Sequence, residues 1–204
     1  MTSFEDEVLS SGFPEAALME KVGHSMASWL LEHSELLEEG VVVLVGPGHN
    51  GGDGLVVARE LFLAGVSVEI WCPLPINKTL TLGHLSHTNW LGVPQIKIQP
   101  DISSNALWID ALFGIAQSRP LPEQIAQLFK ERQIKTPGRL VSLDVPSGIC
   151  SDKGKPLPGG AAFSAFTLTV GFVKQGLVQD LAMQYVGDLV RIDLGFPPTF
   201  FDEL

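Results

Sequence analysis

Short apolar runs alternate with longer amphipathic segments along most of the chain. Val41–Val45 consists of five consecutive apolar residues, four of them β-branched, and this predicts a strand buried on both faces of a parallel sheet. Further short runs, some alternating apolar with polar, predict strands at residues 66–72, 95–99, 106–112, 139–145, 165–170 and 189–194. The pattern therefore indicates a core of several strands.

Segments with helical spacing of apolar residues lie between these strands. Apolar side chains recur every four residues over residues 14–39 and predict an amphipathic helix that packs on the sheet; they are Leu18, Val22, Met26 and Leu30. The sequence LVVARELFLAG carries good helix formers and ends in Gly65, a residue type favoured just beyond a helix. Helices are also predicted at residues 122–133 and 181–185.

The alternation of strands and helices predicts an α/β fold. We expect a three-layer αβα sandwich with a Rossmann-like, mostly parallel sheet, in a single domain over residues 1–204. Right-handed crossovers bring the carboxyl ends of such strands to one edge of the sheet. Ligands bind along that edge in open α/β sheets.

Composition narrows the classes of function. The 204 residues are 45% hydrophobic and 18% charged, which is typical of a folded globular protein. A formal net charge of −10 argues against general binding of nucleic acids or anionic membranes. No apolar run approaches membrane length, and Cys72 and Cys150 belong to no C-x-x-C pattern. We expect free thiols and a cytoplasmic location.

A glycine-rich loop follows the first strand. In GPGHNGGDG, the spacing matches G-x-G-x-x-G, and Glu69 lies where a ribose-binding acid is expected. A strand, a glycine turn and a helix form the arrangement in which backbone N–H groups hold a phosphate. Asp53 is predicted to cap the helix, which stabilises it by about 1 kcal/mol. A cation would relieve the repulsion between the Asp53 carboxylate and a bound phosphate.

Polar residues also occur at the ends of three predicted strands. Asn50 follows the first strand, Asp110 lies near the end of ALWIDAL, and Asp144 and Ser147 lie at and beyond the end of RLVSLDV. Oxygen ligands suit alkali or alkaline-earth cations. The three donors Asn50, Asp110 and Ser147 carry one formal negative charge between them, which favours a monovalent ion. Asp144 is then a candidate general acid or base. Alternatively, each aspartate simply accepts hydrogen bonds from nearby loop N–H groups.

Three further polar residues are given structural interpretations. His84 and His87 are spaced to share one helix face, but without a nearby acid or cysteine we expect solvated side chains and no zinc site. Lys174, in GFVKQG, is interpreted as a solvated surface lysine, with a contact to phosphate as the alternative.

The glycine loop and strand ends resemble a known family. The segments GPGHNGGDGLVVAREL, IDALFG and LDVPSG, with VKQGL and YVGDLVRIDLGFP, are similar to the YjeF N-terminal domain family, the NAD(P)H-hydrate epimerases, over nearly the whole chain. The resemblance implies epimerisation of the R and S forms of hydrated NADH and NADPH (NADHX and NADPHX), which carry a hydroxyl at C6 of the nicotinamide. It also implies a potassium ion, a homodimer, and a partner ADP- or ATP-dependent dehydratase that repairs the S form.

The same resemblance implies roles for individual residues. Potassium would be coordinated by Asn50, Asp110 and Ser147. Substrate contacts would come from His49, Asn50, Gly51, Gly52 and Asp53, from Gly114, Ile115, Ala116, Gln117, Ser118, Arg119 and Pro120, and from Asp144. His49 departs from the family, which usually has asparagine at this position.

The implied reaction gives Asp144 a chemical task. Inversion at C6 can proceed by loss of water to a conjugated iminium and re-addition from the other face, with Asp144 as proton donor and acceptor. Two other functions stay open from the sequence. An NAD-dependent dehydrogenase would leave Asp110 and Ser147 unexplained, and a non-catalytic nucleotide-binding scaffold would not need the full set of polar residues.

Overall fold

Seven strands form one sheet in which every neighbouring pair is parallel. The computed structural model describes residues 8–194, and the strands are β1 (Val41–Val45), β2 (Val68–Trp71), β3 (Gln95–Ile96), β4 (Leu107–Ala111), β5 (Leu140–Leu143), β6 (Phe166–Val170) and β7 (Asp188–Ile192). Their order across the sheet is β3-β2-β1-β4-β5-β6-β7. The α/β class is confirmed. The single-domain prediction over residues 1–204 extends past the described residues at both ends and stays a prediction.

The main α-helices in this range are α1 (Glu15–Glu32), α2 (His49–Leu63), α3 (Thr79–Leu91), α4 (Glu123–Lys135) and the short α5 (Met183–Val186), and a 3-10 helix spans Gln175–Val178. The predicted extension of the first helix to residue 39 is wrong, because His33 leaves the helical conformation at φ −110° and ψ 52°. A 3-10 turn at Ser34–Leu36 then leads the chain towards β1. Between residues 8 and 194, no helix is both long and apolar enough to cross a membrane.

Alternate residues of β1 face two different helical layers. Val43 packs in a cluster with Met26 of α1 and Leu55 of α2. Leu44 points to the other face, in a cluster with Trp108 of β4 and Phe129 of α4. This alternation follows from the period of two along a strand, and it produces the predicted three layers.

The direction of strand addition reverses between β1 and β4. The chain adds β2 and β3 on one side of β1, and then returns to add β4 to β7 on the other side. The register pairs Leu44 with Asp110 and Val45 with Ala111, so the segments following β1 and β4 leave the sheet side by side. Such a switch point is where open α/β sheets form a ligand crevice.

Candidate functional site

A cleft of about 360 Å³ opens at the switch point. It is bordered by the loop before α2 and the first turns of that helix, by the segment after β4, by the end of β5 and by α1. Eight residues that the resemblance assigns to the substrate border this cleft, namely His49, Asn50, Asp53, Gly114, Ile115, Ala116, Gln117 and Asp144. The fold thus brings residues that are distant in sequence together at the carboxyl ends of the central strands.

The helix after the glycine loop begins earlier than predicted. α2 starts at His49, with Gly48 as its N-cap residue, so Asp53 lies inside the helix. The prediction that Asp53 is the N-cap is therefore wrong. The reason is steric, because glycines allow helical backbone to form where the chain passes very close to its neighbours.

Gly51 and Gly52 do not border the cleft, although the resemblance assigns them to the substrate. Both are buried, and a Cβ on Gly51 would overlap the backbone of Gly46. A Cβ on Gly52 would contact the Met19 thioether at 2.5 Å, which is too close. These two glycines therefore serve the packing of α2 against the loop and α1.

The buried carboxylate of Asp110 is surrounded by hydrogen-bond donors. Its Oδ1 accepts from Leu112 N at 3.2 Å and from Ser147 Oγ at 2.7 Å. Its Oδ2 accepts from Ser142 Oγ at 3.0 Å and from Ser147 N at 2.8 Å. Burial raises the pKa of Asp110, and the hydrogen bonds oppose that effect. An acid is tolerated in this strand because both of its oxygens have partners.

Ser147 and Gln117 connect the segment after β4 to the segment after β5. Phe113 N donates to Ser147 Oγ at 3.0 Å. Gly148 N donates to Gln117 Oε1 at 2.7 Å. The two segments that form one side of the cleft are therefore joined to each other, and the hydroxyl of Ser147 lies between Asp110 and the cleft wall.

Asp144 adopts an unusual backbone conformation at the cleft. With φ 65°, it is the only non-glycine residue among residues 8–194 in the left-handed region. Its N–H donates to Leu168 O at 2.8 Å. Ile115 N donates to Asp144 Oδ2 at 3.0 Å, and Lys174 Nζ donates to Asp144 Oδ1. Both carboxylate oxygens are therefore fixed in position.

Lys174 lies beside Asp144, a placement that the sequence did not reveal. The interpretation as a solvated lysine is wrong, because its side chain is only 11% exposed and forms an ion pair with Asp144. Lys174 Nζ also donates to Val170 O at 2.9 Å and to Thr169 Oγ1 at 3.2 Å. Nothing in the local sequence GFVKQG indicates that the loop after β6 folds back onto the end of β5.

The donor chemistry around Asn50 fits an alkali cation. Both polar atoms of its side chain are buried without a hydrogen-bond partner in the described part of the chain. A Cβ on Gly114 would lie 2.9 Å from Asp144 Oδ2 and 3.5 Å from Asn50 Cγ, so both side chains lie against this glycine. The four donors to Asp110 are neutral, and a monovalent cation would compensate its charge and provide a partner for the Asn50 oxygen.

The remaining residues of the segment after β4 do not border the cleft. Ser118, Arg119 and Pro120 are exposed, beyond the part of the loop that faces Asp144. Gln117 Nε2 donates to Arg119 O at 3.0 Å, which turns the chain away at this point.

One wall of the cleft comes from α1 and was not predicted. Leu18, Met19 and Val22 border the cleft with an apolar surface. Glu15 lies at the rim, with Oε1 3.3 Å from His49 Nδ1. The amphipathic pattern of α1 predicted that it packs on the sheet, but which strand ends it covers depends on tertiary packing.

Glu69 is not placed to bind the ribose of a ligand in this cleft. It borders a different cavity of about 470 Å³, together with Gly40, Val41 and Ser67 at the amino ends of β1 and β2. The spacing that suggested a dinucleotide fingerprint therefore does not bring an acid to the cleft.

His84 is mostly buried, which makes the prediction of a solvated side chain wrong for this residue. The side chain is 11% exposed, and Nδ1 lies 3.7 Å from Glu20 Oε1. Burial lowers the pKa of His84. His87 is exposed. Over residues 8–194, no three histidine, cysteine, aspartate or glutamate side chains are grouped so that they could hold a metal ion.

Comparison with known proteins gives matches along most of the chain. The family model described as YjeF-related protein N-terminus matches residues 15–176. The bifunctional NAD(P)H-hydrate repair enzyme Nnr of Gloeobacter violaceus is 40% identical over 201 residues, which are 94% of this chain and 38% of that enzyme. The NAD(P)H-hydrate epimerase of Lentilactobacillus buchneri is 31% identical over 195 residues, which are 90% of this chain and 86% of that protein.

A solved structure shares the fold. The crystal structure of the yeast protein ynu0 superposes with a TM-score of 0.80 and 24% identity, covering 98% of this chain and 88% of the yeast chain. The chain spans about two fifths of the length of the bifunctional relatives. On the match of residues 15–176 and the identity to these relatives, the chain belongs to the YjeF N-terminal family.

Proposed function

We propose that the chain epimerises the R and S forms of hydrated NADH and NADPH, as part of nicotinamide nucleotide repair. The observation that carries the proposal is the carboxylate of Asp144, held by Lys174 and Ile115 N at a cleft wide enough for a ligand. A relative similar in length to the chain, from Lentilactobacillus buchneri, is named NAD(P)H-hydrate epimerase.

The chemistry asks for one proton donor and acceptor beside C6 of the nicotinamide. The C6–O bond breaks as the lone pair of the ring nitrogen forms an iminium, and the departing oxygen takes up a proton. Water then adds to the opposite face of C6 and releases a proton. Asp144 borders the cleft: its carboxylic acid form gives a proton to the departing oxygen, and the resulting carboxylate takes the proton that the adding water releases. The apolar wall of Leu18, Met19 and Val22 provides a surface for the ring.

We propose that a potassium ion is held by Asn50, Asp110 and Ser147. When bound, the ion supplies positive charge near the substrate and joins the segments after β1, β4 and β5. Support comes from the unpartnered amide of Asn50 and from the buried carboxylate of Asp110, which accepts hydrogen bonds from the hydroxyls of Ser147 and Ser142.

The potassium site predicts a thermal response that does not depend on activity. We expect potassium chloride to raise the melting temperature more than an equal concentration of choline chloride, because the ion binds the folded state. Asp110→Asn should abolish this difference, whereas Asp152→Asn, an exposed control, should keep it. Equal melting temperatures of the unaltered protein in both salts would remove the ion from the proposal.

The proposed partner is an ADP- or ATP-dependent dehydratase, because the longer relatives are named bifunctional repair enzymes. We also propose a homodimer. Light scattering after size-exclusion chromatography should give twice the chain mass of 22.0 kDa. A mass of one chain would contradict the dimer and leave the proposed reaction unaffected.

The decisive experiment supplies both epimers together with a dehydratase that acts only on the S form. We expect the chain to allow complete conversion to NADH, faster than spontaneous epimerisation. A plateau once the S form is consumed would reject the epimerase and favour a non-catalytic nucleotide-binding scaffold.

A further inference from the structure

The charge distribution of the cleft singles out Lys78. Among the described residues that border the cleft, Lys78 is the only lysine or arginine, beside the carboxylates of Glu15, Asp53 and Asp144. Glu15 approaches His49, and Asp144 is paired with Lys174. No carboxylate between residues 8 and 194 pairs with Lys78, which precedes α3 as its N-cap residue. A cation thus borders the cleft with no ion-pair partner among residues 8–194.

A buried hydrogen bond fixes Lys78 relative to the glycine loop. Thr81 is fully buried, and its Oγ1 donates to Gly48 O at 3.0 Å. The first turn of α3 is therefore tied to the residue that precedes α2. Because Lys78 lies directly before this turn, it stands beside the amino end of α2, where backbone N–H groups attract anions.

Two further observations indicate that this side of the cleft is built for a ligand. The space in front of the Gly48 Cα is open, with no atom within 4 Å of a Cβ placed there. Next to it, both polar atoms of the Asn50 side chain are buried without a partner in the described residues. Buried polar groups are seldom left unpaired. The proposed potassium ion would engage the Asn50 oxygen, so the Nδ2 donor still requires an acceptor, which a phosphate oxygen supplies.

We infer that Lys78 binds a phosphate group of the dinucleotide substrate, which rests on the proposed function for the identity of that dinucleotide. A lysine ammonium binds phosphate as a point charge. The phosphate is either part of the pyrophosphate, present in NADHX and NADPHX, or the 2′-phosphate that only NADPHX carries. In dinucleotide folds, the segment after the second strand meets the 2′ position, and Glu69, the acid that would favour a free hydroxyl there, faces another cavity.

The test compares Lys78→Ala and Lys78→Arg with Lys135→Ala, a matched lysine exposed at the end of α4 and away from the cleft. KM is measured separately for NADHX and NADPHX. Dissociation constants for ADP and for adenosine 2′,5′-bisphosphate are measured by titration calorimetry, which needs no turnover. For Lys78→Ala we expect an increase of about tenfold in the affected constants, with kcat little changed. Lys78→Arg should restore most of the binding.

The substrates distinguish the two sources of phosphate. A higher KM for both NADHX and NADPHX, with a higher dissociation constant for ADP, assigns Lys78 to the pyrophosphate. An increase for NADPHX and the 2′,5′-bisphosphate alone assigns it to the 2′-phosphate and makes it a specificity residue. Constants equal to those of Lys135→Ala throughout, or no binding of either probe by the unaltered protein, would overturn the inference. Lys78-dependent binding without epimerisation would reject only the proposed function.

Discussion

At the scale of single residues, Asp144 combines a strained backbone with a fixed side chain. Asparagine tolerates the left-handed region as aspartate does, so Asp144→Asn tests the carboxylate without adding backbone strain. We expect kcat to fall by about 100-fold or more, since general acid–base groups contribute that much. The kcat is measured from epimerisation of NADHX coupled to the dehydratase, with the exposed Asp152→Asn as the control variant. Near-normal turnover would exclude Asp144 as the acid–base group.

We expect Lys174 to act through Asp144, because it donates to that carboxylate and its own side chain does not border the cleft. Lys174→Met removes the charge and, among residues 8–194, leaves the hydrogen bond from Ile115 N on the Asp144 side chain. We expect kcat to fall by about 10- to 100-fold with KM nearly unchanged, as for misplacement of a catalytic group. Lys174→Arg should recover part of kcat. Exposed Lys153→Met is the control, and a change confined to KM would contradict this role.

Single residues also show what the sequence could reveal about the site. Asp110 and Asp144 were recognisable because a charge at the end of an apolar strand needs a partner or a function. Lys174 and Lys78 were not, because a lysine in a polar loop looks the same whether it is solvated or folded back. Their roles depend on where the loops after β6 and β2 come to lie.

At the scale of elements, glycines set how closely α2 approaches the sheet. A Cβ on Gly54 would collide with Ala111 of β4 and approach Val43 Cγ1 to 3.3 Å. Gly54→Ala should therefore lower the free energy of unfolding by about 1–3 kcal/mol, as overpacking does. Gly83 in α3 is a matched control, because a Cβ there meets no atom within 4 Å.

Gly83→Ala should raise the free energy of unfolding by about 0.5–1 kcal/mol, because alanine is the better helix former. Urea unfolding of the two variants measures both effects. A Gly54→Ala protein as stable as the parent would show that α2 can shift without cost, which would contradict close packing as the reason for this glycine.

The elements themselves were predicted better than their ends. The start of α2 was placed too late because a glycine-rich stretch looks like a loop, although here the glycines are the first turns of the helix. The α1 wall was missed for a different reason. Apolar spacing shows that a helix has a buried face, but only the three-dimensional fold shows that Leu18 and Met19 extend past the sheet to the cleft.

At the scale of the whole molecule, we expect acid stability to depend in part on the mostly buried side chain of His84. Burial lowers its pKa from 6.5, Arg59 and His87 lower it further, and Glu20 opposes them. In the unfolded chain His84 is therefore protonated near pH 6.5, whereas in the folded chain it is protonated only at a lower pH. The free energy of unfolding should decrease as the pH falls from about 7 to about 5, by at most about 1.4 kcal/mol per pH unit from this group.

Urea unfolding at several pH values measures this dependence. His84→Gln should show a smaller loss of stability than the parent over the same range. Exposed His87→Gln removes only the smallest of the effects on the pKa of His84 and should nearly retain the parental slope. If both variants behave alike, the acid sensitivity arises elsewhere in the molecule.

The overall architecture followed from periodicity because a buried parallel strand and an amphipathic helix leave different patterns. Val41–Val45 and residues 106–112 are apolar apart from Asp110, so strands buried on both faces were predictable there. The edge strand β3 was harder to predict. It has only two residues and pairs only with β2, so it leaves little apolar pattern in the sequence.

The central place of β1 also governs how the protein can be synthesised. β1 is bordered on one side by β2 and on the other by β4, which is translated more than sixty residues later. A nascent chain that has not yet reached Leu107 therefore presents an unpaired apolar strand edge, the kind of surface that chaperones cover and that aggregates form upon. Ribosome-bound intermediates that end before β4 should thus depend on chaperones. In intermediates that include β5, β4 covers the edge of β1, and these should aggregate less.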